Sequence, residues 1–140
     1  MSPSSKAGPN APPPLNGERL LEAIRTWAGL LAERGDDAVD AYLDSRDSDP
    51  FDGQWTSADA ALRSHKTRLS AERVERAQAE SDRLRQSVFA AVIKTSGHAD
   101  LAGYLSDDAE LIYENEVLNL HSDWIDALRR SYESPPLAAD

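Results

Sequence analysis

The stretch "GYLSDDAELIYENE", residues 103–116, places five carboxylates in fourteen residues. On a helix, Asp107, Glu110 and Glu114 share one face, because their spacings are three and four. Three carboxylates in that arrangement could hold a Mg²⁺ ion if a second helix supplied more oxygens. Glu72 and Glu75 offer a Glu-x-x-Glu on a neighbouring helical segment. Two His-x-Asp triplets, His98-Ala99-Asp100 and His121-Ser122-Asp123, are further candidates for metal binding or proton transfer. Residues two apart share a face only on extended chain, however, and both triplets sit where helices are expected to begin.

The structural reading of these acids is the stronger one. Ser106 has the chemistry of an N-cap, and Asp107, Asp108 and Glu110 would then lie in a first helical turn, where acids favour the positive helix end. Helical nucleotide pyrophosphohydrolases use a Glu-Glu-x-x-Glu and a later Glu-x-x-Asp. This chain lacks the first, and Glu33 and Asp36 match the second only across Gly35 and in the wrong order. The chain has no cysteine, so disulfides, thiolate zinc sites and a cysteine nucleophile are excluded. It has no G-x-S-x-G, P-loop or dinucleotide fingerprint. No cofactor, no metal and no enzymatic activity are therefore expected.

The elements that would position these residues are mainly helical. Leu20, Ile24, Trp27 and Leu31 form one apolar stripe, after a staple of Leu15 with Leu20 around a capping Asn16. Gly29 inside this helix costs about 1 kcal/mol against alanine, which points to a closely packed neighbour. A short second helix is expected from Asp37 to about Ser45, buried through Val39, Tyr42 and Leu43. "SRDSDPFDGQW" reads as a loop, with Pro50 and Gly53 as breakers. Phe51 and Trp55 within it either fold back as a lid over the core or serve as exposed anchors for a partner. From Trp55 to Ser96 there is neither proline nor glycine. Thr56 or Ser57 could cap a helix there, with a break between Ser64 and Ser70 as a variant. Val74, Ala77, Ser81, Leu84, Val88, Ala91 and Thr95 make a heptad seam, suited to the core of a bundle built around one long helix or to a homodimer. "HADLAGYL" reads equally as a helical turn or a short strand. Ser122 is the expected cap of a last helix carrying Trp124, Ile125, Leu128 and Tyr132.

Charge is unevenly laid out. The net charge is −10, with +1 from Lys6, −6 over residues 17–63, +3 over 64–96 and −8 over 97–140. Such a surface repels phosphates, so nucleic acid is not expected as a partner. No apolar run approaches the roughly 20 residues of a membrane span, and the N-terminus lacks the apolar stretch of a signal peptide. A cytoplasmic protein without membrane contact is expected. The domain plan is a disordered Pro-rich tail over residues 1–15, a single helical domain over 16–134 and a flexible C-terminus over 135–140.

From Val88 to Pro135 the chain resembles small acidic bacterial proteins, some of them immunity-protein-like. In these, a Y-[LV]-S-D-D-x-x-L-I stretch is followed by a Trp-containing helix and a Tyr before Pro. Tyr104, Ser106, Asp107, Asp108, Leu111, Ile112, Trp124, Leu128 and Tyr132 are the matching positions, and Ser134 stands where such relatives have Gly. The resemblance implies a compact helical module. Together with the acidic charge, it suggests a non-enzymatic protein-binding role, such as inhibition of a basic toxin. Asp107, Asp108, Glu110, Glu114, Glu116, Phe51 and Trp55 are the expected partner-binding residues. A helical metal-dependent hydrolase using Asp107, Glu110 and Glu114 is the alternative, and a secretion chaperone is a further one.

Overall fold

The computed structural model describes residues 13–136. The expected N-terminal tail up to residue 12 and the last four residues of the chain lie outside that range. Six helices follow in order among the described residues: α1 (Leu15–Glu33), α2 (Asp36–Arg46), α3 (Phe51–Lys66), α4 (Ala71–Ser96), α5 (Ala99–Val117) and α6 (Asp123–Ser131). They form a helical bundle in which the longest helix, α4, packs against both α1 and α5.

Helix α1 buries the expected stripe of Leu20, Ile24, Trp27 and Leu31. It starts one residue before Asn16, after Pro14, so Asn16 lies inside the helix and does not cap it. The Leu15 side chain, half of the expected staple, lies outside what the structure describes. A Cβ on Gly29 would lie 3.0 Å from Thr95 Cγ2, which identifies α4 as the close neighbour that the glycine admits. On α4 itself, Ala77, Ser81, Leu84 and Val88 are all buried, so this part of the seam packs within the chain. Ser70 caps α4 by accepting a hydrogen bond from the Arg73 amide at 3.2 Å, and α3 and α4 are separate helices. Gly97 ends α4 in the left-handed conformation that glycine adopts freely.

Two further local expectations are corrected. The loop after α2 is shorter than the breakers suggest, because α3 begins at Phe51 and not at Thr56 or Ser57. Phe51, Trp55, Ala58 and Leu62 recur at spacings of four, three and four, and all four join the core. That stripe holds the chain helical although Gly53 lies in the first turn. Likewise, Ser106 is no cap. "HADLAGYL" is helical from its second residue, so α5 already starts at Ala99 and carries Ser106, Asp107 and Asp108 in its middle. Leu101, Leu105 and Ile112, with Ala102 and Ala109 beside them, supply the buried stripe that holds this helix in place. Ser122 caps α6 as expected, accepting from the Ile125 amide at 3.2 Å.

Candidate functional site

Helix α2 brings an aspartate-rich outer face and one inward-pointing cation. Asp36 and Asp37 occupy its first turn, where they interact favourably with the positive helix end. Val39 is buried in the core, while Asp40 and Asp44 are exposed. Seven aspartates between residues 36 and 52 are exposed: Asp36, Asp37, Asp40, Asp44, Asp47, Asp49 and Asp52. The one Lys or Arg in that segment, Arg46, is only 4 % exposed. Its charge is spent elsewhere.

Arg46 points beneath this surface. Its guanidinium lies 4.4 Å from the centre of the Phe51 ring and 5.2 Å from that of Tyr104. Its Nη1 donates to the Tyr42 hydroxyl at 2.9 Å, and its Nη2 donates to Asp108 Oδ1 at 2.6 Å. The same Asp108 oxygen accepts from the Trp55 indole at 2.9 Å, and the other accepts from the Tyr132 hydroxyl. Three donors on one fully buried carboxyl suit an ionised group, which can only accept. Burial pushes the Asp108 carboxyl above its ordinary range, while Arg46, Tyr132 and Trp55 pull against that shift. Burial also works against the Arg46 charge, but Asp108 and its neighbours more than offset it, and the guanidinium titrates above its ordinary value. The pair ties α2, α3, α5 and the residue after α6 into one unit.

The remaining acids of the opening stretch separate into two groups. Glu114 is buried, with its carboxylate bridged to Lys66 of α3 and accepting from the Ser81 hydroxyl of α4. Asp107 and Glu110 stay accessible, and Arg85 of α4 bridges both. Burial raises the Glu110 carboxyl above its ordinary value against the pull of Arg85. Glu116 is exposed near the end of α5. Thus Asp107, Glu110 and Glu114 do line one groove of about 410 Å³, together with Asp59. Each of the four is already paired, Asp59 with Arg63 at 3.0 Å. A metal ion there would have to displace three cations.

Asp108 and Glu114 are therefore not surface groups. Phe51 and Trp55 are half-buried and fold back onto the core, the first of their two expected roles. His98 pairs with Asp36 at 3.1 Å and not with Asp100. His121 lies 3.2 Å from Asp123 and 3.7 Å from Asp126. Those three are the one group of three or more His and carboxylate residues among the described residues whose ligand atoms lie within 4.8 Å of one another. They lie at the exposed start of α6, where acids are also favoured by the helix end. The aspartate run of residues 36–52 is absent from the expected partner-binding residues. Its signal in the sequence is seven acids with a single base among them.

No helix among the described residues is long and apolar enough to cross a membrane. No curated protein and no solved structure matches the chain. Residues 22–137 match the family model described as immunity protein PIM1. The match spans most of the sequence and every helix from within α1 to α6, so the chain belongs to the immunity protein PIM1 family.

Proposed function

We propose that the protein is a non-enzymatic immunity protein that neutralises a toxin by binding a basic surface on it. The observation that carries this reading, beside the family, is the exposed aspartate run of α2 and the turn after it. Asp37, Asp40, Asp44, Asp49 and Asp52 have no Lys or Arg within ion-pair distance among the described residues. Unpaired surface acids of one sign raise the rate at which an oppositely charged protein arrives, and rim charges act chiefly on that rate. Asp107 and Glu110 on α5 and Glu116 near its end add further accessible acids. Asp108, Glu114, Phe51 and Trp55 support this surface from beneath, by fixing α2 and α3 on α5.

The test is association with candidate toxins drawn from the genes that neighbour this one, each purified in an inactivated form. The unaltered protein should bind one of them and should protect cells that express the active toxin. The double variant Asp40→Lys, Asp44→Lys should associate on the order of tenfold more slowly at low salt, with the difference shrinking at high salt. Failure of the unaltered protein to bind or protect would overturn the reading. Equal association rates for the two proteins at low salt would remove the aspartate run from it.

A further inference from the structure

Between α3 and α6 runs an open groove of about 730 Å³ whose chemistry differs from that of the aspartate run. We infer that it seats an apolar side chain of the toxin, flanked there by lysine or arginine. The inference rests on the immunity reading above. Gly53, Ser57, Ala58 and Ala61 of α3 give the groove a floor of small residues, and Trp124 of α6 is its one aromatic residue.

Trp124 is held in place within the chain itself. Its indole nitrogen donates to Gln54 Oε1 at 3.0 Å. Its ring meets that of Phe51 edge-on with centres 5.5 Å apart, and Phe51 in turn covers the Arg46 guanidinium. A half-buried tryptophan fixed in this way offers a large apolar face with little ordering cost on binding.

Charge selects the occupant. The residues lining the groove include one acid, Asp49, and no base. Asp123, which adjoins Trp124 in sequence, is fully exposed. An apolar floor with an acidic margin favours an apolar anchor beside cations over an acidic or purely polar segment. Asp49 also belongs to the exposed aspartate run, so the groove continues the surface on which a basic toxin would first land.

The probe is the same inactive toxin, with affinity measured by calorimetry. Ala61→Arg puts a long cationic side chain into the groove. Ala60→Arg adds the same charge at the adjacent exposed position that does not line it. The expected result is binding weakened about tenfold or more by Ala61→Arg, with Ala60→Arg within about twofold of the unaltered protein. Should Ala61→Arg lower the melting temperature, Ser57→Arg on the same floor takes its place. Equal affinities for the two arginine variants would overturn the groove inference while leaving the immunity reading intact. A concentration-dependent dimer that Ala61→Arg abolishes would overturn it in favour of a second copy as occupant. Absence of binding by the unaltered protein would overturn both readings together.

Discussion

Residues 36–52 carry seven aspartates, and residues 103–116 carry five acids. In the first stretch every acid is exposed. In the second, Asp108 and Glu114 are inside the protein, and Asp107 and Glu110 share Arg85. The difference comes from what surrounds the two helices. Helix α5 is enclosed, with eleven of its nineteen residues buried, so several of its polar positions must find partners in neighbouring helices. Helix α2 has only Val39 and Arg46 fully buried and leaves most of its remaining surface to water. Acid density in a sequence is thus a poor guide to surface potential. Burial decides which acids become structural and which stay available to a partner.

The comparison breaks most visibly at Asp108. Asp108→Asn should destabilise by about 3–5 kcal/mol, because it strands a buried guanidinium. Denaturant unfolding measures this directly, and a loss under about 1 kcal/mol would mean that Arg46 finds water when the carboxylate is gone. Glu114→Gln should cost less, about 1–3 kcal/mol, since Lys66 keeps some access to solvent that Arg46 lacks.

A pH titration sharpens the same contrast from the other side. Burial first, and the charge of Asp108 second, raise the phenols of Tyr132 and Tyr42 above their ordinary values. The folded state then keeps protons that the unfolded chain releases at about pH 10, the ordinary tyrosine value. More protons bound in the folded state means stability that is intact below that value and falls as pH rises beyond it. The melting temperature should therefore drop in alkali, and Tyr132→Phe should flatten the drop while lowering stability at neutral pH. A melting temperature unchanged into alkali would show that these phenols are not held protonated by the fold.

The smallest effect should have the opposite sign. Asp36, Asp40 and Asp44 repeat every four residues, and like charges at that spacing repel by a few tenths of a kcal/mol. Asp40→Asn should raise stability by about 0.2–0.5 kcal/mol, read as a small upward shift in the denaturant midpoint. A loss comparable to that of Asp108→Asn would dissolve the distinction between the two stretches.

Much of the bundle was legible in local pattern. The stripe of α1, the stop at Gly97 and the Ser122 cap each depend on residues a few positions apart, where helix geometry alone settles the outcome. The readings that went astray at Ser106 and Thr56 have a common cause. Ser-Asp-Asp and Pro-Phe-Asp-Gly carry strong local signals for helix starts and loops, yet apolar stripes that continue across both held the chain helical.

The sequence by itself determined a mainly helical acidic chain, because periodicity and composition are local and additive. Only the tertiary structure decided which acids are spent. Asp108 meets Arg46 across 62 positions, and Glu114 meets Ser81 across 33. Asp44 and Asp108 look alike as letters, each on an acid-rich helix. One is left in water and the other lies where α2, α3 and α5 converge, and no spacing rule reaches over that separation.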